Sequence, residues 1–240
     1  MFICPQLALV HNGNDGIFHA LSPRAFYEYI VATGGEGVIV KPKNGKYLCD
    51  KRGWEYSKIK KFLTREVIIL GFSDPTDEYK GKFPTVDKWD YWETNEGDLV
   101  DLSLYTPEQR QKFKEIWYPD ECRPVSKFYA KQWVGNIRFG VIITPEEEAK
   151  LPKNKKFNIG LCNGFKNCAE YRVIEVGECS GFDEETREYL TEHKAEMIGK
   201  VIEVKANEIF KDTGKLRHPR FLRFRPDKSN LECTFRDHIG

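Results

Sequence analysis

No apolar run in this sequence approaches the roughly 18 residues that a membrane-spanning helix needs. The opening stretch MFICPQLALVHN also lacks the basic segment that precedes the apolar part of a secretory signal peptide. These absences argue against an integral membrane protein and against a membrane as partner. We therefore expect an intracellular, cytoplasmic protein.

Regular cysteine spacing is absent as well. The sequence has seven cysteines but no C-x-x-C pair, which argues against a disulfide framework and is best interpreted as free thiols in a reducing compartment. A zinc site at Cys162, Cys168 and Cys179 remains open as an alternative.

A large net charge is missing too, because the formal net charge is only +1 at pH 7. Global charge therefore neither predicts nor excludes a nucleic-acid partner. The distribution is more informative: residues 41–61 and 217–228 are rich in Lys and Arg, whereas residues 74–101 are rich in Asp and Glu. Such patches favour a phosphate-facing surface built from two distant segments. The alternative is that these charges are simply solvated.

The length of 240 residues is sufficient for one large domain or two small ones. The stretch LSPRAFYEYIVATGG is typical of a short helix, with Ser22 as a suitable N-cap and a glycine pair at its end. GVIV predicts a buried strand and NGKY a tight turn. KYLCDKRGWEYSKIKKF predicts a second strand, after which the chain returns through Trp54 to a third, lysine-rich strand. Residues 1–63 are therefore interpreted as the end of an α/β domain.

From residue 64 onward, short strands replace this pattern. EVIILGF, GVIIT, YRVIEVGE, GKVIEVKANEIF and RFLRFR are each typical of a strand, and five or more such strands predict a small β-barrel. SGFDEETREYLTEHKAEMIG predicts one helix, capped by Ser180 or Asp183. The predicted fold class is α+β and mainly β, with the barrel domain over residues 64–240.

An insertion interrupts the predicted barrel at about residues 74–136. TPEQRQKFKEIW within it predicts a helix, because Thr106 and Gln109 can form a capping box. A segment this rich in aromatics is expected to be folded around a local core; base stacking is the alternative use of these rings. The insertion holds four of the five tryptophans: Trp89, Trp92, Trp117 and Trp133.

Charged residues flank and follow the GVIV strand. Glu36 precedes it and Lys41 follows it, and on their own they would be a salt-bridged pair or a solvated rim. SKIKKF then adds Lys58 and Lys60, which point the same way in a strand. Two lysines on one face, beside apolar neighbours, predict a cradle for phosphate oxygens.

A second cationic segment, RHPRFLRFRPDK, lies near the carboxyl end. Strand alternation predicts that Leu222 and Phe224 point into the core and that Arg223 and Arg225 point the other way. Two parallel guanidinium groups predict binding of phosphate or pyrophosphate.

EGVIVK, K-x-K and R-H-P-R-F-x-R-x-R-x-D-K, in this order, resemble motifs IV, V and VI of the ATP-dependent DNA ligases. CSGFD further resembles the segment before the helix of the ligase barrel. The resemblance covers about residues 22–229, without a counterpart for residues 74–136 or 150–168. It implies a remnant of a nucleotidyltransferase (adenylation) domain over residues 1–63 and an OB-fold barrel over residues 64–240.

The resemblance also implies a reaction. In that family a lysine attacks ATP to form lysine-AMP, AMP passes to the 5′-phosphate of a nick, and the 3′-hydroxyl displaces AMP. ATP and Mg²⁺ are the implied cofactors, and nicked duplex DNA is the implied partner. Glu36 would help to bind the metal, and Lys41, Lys58 and Lys60 would contact the adenylate phosphate. The last motif would move over the site in the first step and orient the β- and γ-phosphates through Arg217, Arg220, Arg223, Arg225, Asp227 and Lys228.

One family element has no match. The nucleophile, the lysine of Lys-x-Asp-Gly, should precede EGVIVK, but none of the 35 residues before Glu36 is a lysine. KWDY at Lys88 lacks the glycine, and KDTG at Lys211 has its Asp and Gly misplaced. We therefore expect the carboxyl-terminal part of a ligase that cannot form the adenylate alone, and a separate amino-terminal ligase chain as partner. Without that chain, the first 63 residues would expose an apolar patch and an open strand edge, or be partly disordered.

Two other functions stay open. One is a non-catalytic OB-fold module that binds nucleic acid. The other is an RNA ligase or a capping-type nucleotidyltransferase, because these enzymes share the E-G and K-x-K pattern. Glu36, Lys58 and Lys60 favour a catalytic protein, since a mere binder has no use for a metal-site glutamate. The long last motif and SGFD favour DNA as the substrate.

Overall fold

The computed structural model describes the chain in stretches separated by short gaps: residues 23–41, 56–78, 90–118, 120–162 and 171–240. The chain divides into two compact units, residues 1–62 and 63–240. The predicted Ser22 cap, the NGKY turn and Trp54 lie outside the described residues. Among the helices described, none is both long and apolar enough to cross a bilayer.

The described part of the first unit holds one helix and one strand pair: α1 (Pro23–Ala32), β1 (Gly37–Val40) and β2 (Ser57–Lys60). The helix ends where the Thr33 hydroxyl donates to two carbonyls of the last turn and Gly34 adopts a φ of +88°. β1 and β2 pair antiparallel, with Gly37 opposite Lys60. The predicted helix, the GVIV strand and the lysine-rich strand are therefore present, whereas the strand predicted from KYLCD lies outside the described residues.

GVIV is a strand, but the prediction that it is buried is wrong. Ile39 and Val40 are 54% and 47% exposed, and Ile59 on β2 is 44% exposed. Two strands and one short helix cannot enclose a strand on both faces, and no other described strand pairs with β1 or β2. The described residues of this unit thus present the exposed apolar side chains and open edges that the sequence predicts for an incomplete sheet.

The second unit contains the remaining elements. Its strands, in chain order, are β3 (Leu63–Ser73), β4 (Tyr91–Thr94), β5 (Leu99–Asp101), β6 (Cys122–Pro124), β7 (Asn136–Ile143), β8 (Ile159–Leu161), β9 (Arg172–Cys179), β10 (Val201–Ala206), β11 (Glu208–Ile209), β12 (Leu216–Arg217) and β13 (Arg220–Phe224). Its helices are α2 (Pro107–Trp117), α3 (Lys127–Ala130), α4 (Pro145–Glu148), α5 (Glu184–Glu192), α6 (Lys194–Met197) and α7 (Phe235–Ile239).

Six of these strands form the main sheet, in the order β13-β10-β3-β7-β9-β8, with every neighbouring pair antiparallel. The core of the unit lies on this sheet, because its branched and aromatic side chains are withdrawn from water. Fully buried members from four different strands include Ile68, Phe139, Ile174 and Ile202.

The described strands do not form a closed ladder. β13, at one edge, meets the end of β9 at a single parallel bridge between Ser180 and Arg220. There the Phe221 amide donates to the Ser180 carbonyl at 3.0 Å. At the level the structure defines, the protein is therefore a mixed α/β protein with mostly antiparallel sheets, in agreement with the predicted class.

Two helices stand where one was predicted between β9 and β10. Asp183, one of the two predicted caps, accepts a hydrogen bond from the Thr186 amide at 2.8 Å and starts α5. The helix ends at His193, whose backbone leaves the helical region at φ −110° and ψ 23°. α6 begins directly after it, and Gly199 follows at a φ of +84°.

The insertion between β3 and β7 has its own small core. Strands β5, β4 and β6 form a three-stranded sheet, and Trp92 on β4 is completely buried. Its ring lies 6.0 Å from that of Phe113 on α2 and 5.4 Å, edge-on, from that of Tyr118. The predicted capping box of α2 is present. The prediction of a folded segment with a local core is confirmed; Trp89 and Lys88 lie outside the described residues.

Candidate functional site

The candidate residues of the first unit lie on the β1–β2 pair. Glu36 enters β1 and forms an ion pair with Lys60, which stands opposite Gly37. The side chain of Lys60 is 27% exposed, whereas that of Glu36 is 65% exposed. Gly37 allows this close approach, since a Cβ there would lie 2.2 Å from the carbonyl oxygen of Ile59 and its φ is +144°.

Lys58 lies on the same face of β2 as Lys60, because residues two apart in a strand share a face. The neighbouring amino group of Lys60 lowers the pKa of Lys58, while the charge of Glu36 acts in the opposite direction. Two neighbouring ammonium groups repel each other, and an anion placed between them relieves this repulsion. The pair is therefore suited to a phosphate group.

Lys41 is at the other end of the same ladder. It follows β1 directly, and its Nζ lies 5.6 Å from the centre of the Tyr56 ring, in a cation–π contact. Glu36 and Lys41 are five residues apart, which is about 16 Å along an extended chain. The structure thus brings Glu36, Lys58 and Lys60 together and places Lys41 at the far end of the strand pair.

The cations of the second unit are held by carboxylates. Arg223 donates to Glu203 at 2.6 Å. Arg225 donates two hydrogen bonds to Asp227, at 2.9 and 2.8 Å, and forms an ion pair with Glu66. Lys228 lies 3.0 Å from Glu232 and 3.6 Å from Glu66. Arg217 pairs with Glu208 at 3.3 Å.

These ion pairs stabilise the charged forms of their members. The hydrogen bonds from Arg225 lower the pKa of Asp227 to about 2, and Asp227 in turn raises the pKa of Arg225. The hydrogen bond with Glu232 raises the pKa of Lys228. Arg225, Asp227 and Lys228 are therefore charged at neutral pH, and the hydrogen bonds to Asp227 orient the Arg225 guanidinium group before any ligand binds.

Arg220 differs from the other cations of this segment. Its backbone bridges to Ser180, and no carboxylate of the described residues pairs with its side chain. Its side-chain stem passes Gly181, where a Cβ would lie 3.7 Å from the Cβ of Arg220. Gly181 belongs to the SGFD segment, which therefore lies directly beside the start of β13.

The predicted alternation along β13 is partly wrong. Phe221 and Phe224 pack against the core, whereas Leu222 is 44% exposed. A β-bulge causes the difference: Glu203 stands opposite Arg223 and Val204 opposite Phe221, so Leu222 is an extra, unpaired residue. The bulge shifts the inward positions from a spacing of two residues to a spacing of three.

Sequence reasoning missed the carboxylates that hold these cations. Glu66 on β3 stands opposite Glu203 on β10, which stands opposite Arg223 on β13. The three side chains thus form one row across three strands. The sequence does show one glutamate within each of the apolar strands β3 and β10. That these glutamates lie beside Arg223 and Arg225 depends on the strand register, which the sequence does not reveal.

A cavity of about 250 Å³ opens next to this row and is lined by residues that include Arg65, Glu66, Glu203, Cys233, Asp237 and His238. His238 is 3% exposed, and its Nε2 hydrogen bonds to the Gly214 carbonyl at 2.7 Å. Burial lowers the pKa of this histidine to about 4. The imidazole is therefore neutral at physiological pH.

No three His, Cys, Asp or Glu side chains within the described ranges are grouped as a metal site. Of the cysteines considered for zinc, Cys162 and Cys179 are buried, and Cys168 lies outside the described residues. Burial raises the pKa of the Cys179 thiol to about 12, so this thiol is protonated at neutral pH.

No protein family model matches the chain, and no curated protein does. Among solved structures, the chain is similar to DNA ligases. A structure named Pmar-Lig_Pre matches with 18% identity and a TM-score of 0.44, over 85% of this chain and 30% of its own. A Lig E DNA ligase matches with 17% identity and a TM-score of 0.38, over 85% of this chain and 45% of its own.

The Chlorella virus DNA ligase-adenylate matches with 16% identity and a TM-score of 0.32, over 86% of this chain and 47% of its own. The chain therefore spans less than half of the length of each of these three structures. TM-scores below 0.5 do not establish a common fold, so a functional conclusion has to come from the residues themselves.

Proposed function

We propose that this chain is the carboxyl-terminal part of an ATP-dependent DNA ligase, and that it contributes the phosphate-binding groups for sealing nicks in duplex DNA. The observation that carries this proposal is the grouping of Glu36, Lys58 and Lys60 on one short strand pair. A carboxylate beside two adjacent ammonium groups suits a nucleotide phosphate that arrives with a divalent cation.

Each residue of this group has a distinct role in the proposal. Lys58 and Lys60 neutralise the adenylate phosphate, and Lys41 contributes a further positive charge from the end of β1. Glu36 fits Mg²⁺, because this ion is bound by one or two protein carboxylates while substrate phosphates and waters supply the other ligands. Bound Mg²⁺ would supply charge neutralisation at the phosphates.

The second unit is proposed to bind the β- and γ-phosphates of ATP through the cations of its last motif. Guanidinium groups bind phosphate oxygens in pairs, and a lysine adds a point charge. The ion pair of Lys228 with Glu232 is solvent-accessible, and exposed ion pairs are worth only about 0–1 kcal/mol. A triphosphate can therefore replace Glu232 at little cost. The side chains of Arg225 and Glu203 are only 14% and 15% exposed, so a triphosphate has to compete with their ion pairs. The residues proposed to act here are Arg217, Arg220, Arg223, Arg225, Asp227 and Lys228.

An OB-type barrel is the architecture we propose for this unit. The strand order β13-β10-β3-β7-β9, the helical connection from β9 to β10 and the bridge between Ser180 and Arg220 support it. OB folds are five-stranded, partly open barrels that bind nucleic acids. Nicked duplex DNA is the proposed partner of this surface.

A second chain is part of the proposal, because the sequence offers no lysine nucleophile of the Lys-x-Asp-Gly type. The exposed side chains of Ile39, Val40 and Ile59 support it, since an amino-terminal ligase segment would cover them. That segment would carry the nucleophilic lysine and the groups that bind adenine and ribose.

Nick sealing by two chains tests the proposed function. The protein is mixed with a separately expressed ligase segment that carries Lys-x-Asp-Gly, and sealing of a labelled nicked duplex is measured with ATP and Mg²⁺. Glu36→Ala and Lys60→Ala should each lower the rate by at least about 100-fold, the usual cost of removing one group that stabilises transition-state charge. Lys61→Ala is the matched control, because Lys61 is an exposed neighbour outside the proposed site.

The expected result is sealing by the wild-type pair and by the Lys61→Ala pair, with loss of sealing for Glu36→Ala and Lys60→Ala. Wild-type rates for either site variant would contradict the assignment of the site. Equal losses for Lys61→Ala and Lys60→Ala would indicate a general effect of positive charge rather than a specific site.

A further inference from the structure

The helix α2 of the insertion ends in exposed apolar side chains. Ile116, Trp117 and Tyr118 are 69%, 40% and 37% exposed, although the Trp92 ring below them is completely buried. Adjacent exposed apolar groups on a folded surface mark interaction sites. These three residues, with the adjoining turns at 95–98 and 120–121, are named the α2-end patch.

Backbone hydrogen bonds place the two turns beside the end of the helix. The Glu121 amide donates to the Trp117 carbonyl at 2.8 Å, and the Asn95 amide donates to the Glu121 carbonyl at 3.0 Å. The Asn95 side-chain amide also donates to the Asp120 carbonyl at 2.8 Å. Residues from three separate parts of the insertion therefore form one continuous surface.

The rim of the α2-end patch is acidic. Lys112, one helical turn before Ile116, is an exposed cation on the same helix, and nearby Arg123 is already paired with Asp77 at 2.8 Å and with Glu93 at 2.5 Å. Acids therefore dominate the rim. Its exposed carboxylates belong to Glu96, Asp98, Glu115, Asp120 and Glu121.

Two rings of the α2-end patch pack against neighbouring rings. The Trp117 ring stacks on that of Phe113 at 6.3 Å and an interplanar angle of 26°, and the Tyr118 ring lies edge-on to that of Trp92. Aromatic side chains have few rotatable bonds, so they lose little conformational entropy on binding.

A buried arginine also joins the insertion to the helix that follows the main sheet. Arg187 on α5 donates to the carbonyls of Val134 and Gly135. Its guanidinium group lies 4.0 Å from the Phe128 ring and 4.4 Å from the Phe182 ring. The insertion is therefore firmly attached to the rest of its unit.

We propose that the α2-end patch docks a basic amphipathic segment of a protein partner. An aromatic centre with a charged rim is the usual anatomy of a protein interface, and the acidic rim complements Lys and Arg. The same carboxylates repel phosphates, so this surface is a poor stacking platform for DNA. The proposal is independent of the nucleotide chemistry of Glu36 and Lys60.

Fluorescence anisotropy with a defined probe tests the proposal. The probe is a labelled 12-residue helical peptide with leucine on one face and lysine on the other, titrated with the whole chain. Two comparison probes are a peptide with glutamate in place of lysine and a 12-nucleotide single strand. The variants are Ile116→Ser and Glu121→Lys. The matched control is Leu161→Ser, which removes a 58% exposed leucine on β8, outside the patch. Circular dichroism and thermal unfolding verify that each variant is folded.

The basic peptide should bind the wild type and Leu161→Ser equally, and Ile116→Ser and Glu121→Lys should each weaken it by about tenfold. The weakening by Glu121→Lys should shrink at high salt. Equal binding by Ile116→Ser and wild type would overturn the proposal. The proposal would also be overturned if the wild type bound the acidic peptide or the 12-nucleotide single strand and Ile116→Ser weakened that binding.

Discussion

Acidification to pH 4 should destabilise the second unit through His238. This side chain is 3% exposed, and its Nε2–H donates to the Gly214 carbonyl at 2.7 Å. Nδ1 is buried without a hydrogen-bond partner among the described residues. A proton on Nδ1 would therefore create a buried charge with no compensating acceptor, and the neighbouring Arg65 disfavours that charge further.

The magnitude follows from the two pKa values. Burial lowers the pKa of His238 from 6.5 to about 4. Below pH 6.5 the unfolded chain takes up a proton that the folded chain refuses, so stability is lost as the pH falls. The linkage relation gives a loss of about 2 kcal/mol at pH 5 and about 3 kcal/mol at pH 4, relative to neutral pH.

Urea unfolding between pH 7 and pH 4, followed by tryptophan fluorescence, measures this loss. His238→Gln is the matched control, because the glutamine amide can still donate to the Gly214 carbonyl but does not titrate. The wild type should lose about 3 kcal/mol more than the control over this range. Parallel pH profiles of the two proteins would refute the reasoning, since the loss would then come from other groups.

Arg225→Ala should slow adenylate formation in the two-chain system more than sealing of a pre-adenylated nick, because Arg225 is proposed to act on the β- and γ-phosphates; equal losses in both assays would contradict that role. Trp92→Ala should lower the free energy of unfolding of the insertion by about 3–5 kcal/mol, measured by urea titration, because it empties a completely buried site. Arg187→Met should lower the free energy of unfolding by about 3 kcal/mol in the same assay, because the carbonyls of Val134 and Gly135 lose a charged donor. Unchanged stability would contradict this, and would show that packing against the rings of Phe128 and Phe182 holds this side chain without the hydrogen bonds.

Local rules predicted a large part of the fold. The capping box of α2 and the Asp183 cap of α5 follow from side chains within four residues of the helix start. Lys58 and Lys60 share a face because they are two residues apart in a strand. The tryptophan-rich insertion has a local core, because buried aromatics need packing partners nearby.

Features that depend on pairing between distant strands were not predictable. The bulge at Leu222 arises from the register of β13 against β10, and strict alternation along RFLRFR therefore placed Leu222 in the core instead of Phe221. The contact of Glu66 with Arg225 joins residues 159 positions apart in the chain. The exposure of Ile39 and Val40 depends on which strands pair with β1, and composition carries no such information.

Intact-mass analysis of both chains after incubation with ATP and Mg²⁺ tests the central claim most directly. We predict no added AMP on this chain, and AMP on the Lys-x-Asp-Gly segment that increases strongly when this chain is present. AMP attached to this chain would mean that one of its own lysines is the nucleophile. Adenylation of the other segment at the same rate with and without this chain would show that the phosphate-binding residues proposed here do not act in the reaction.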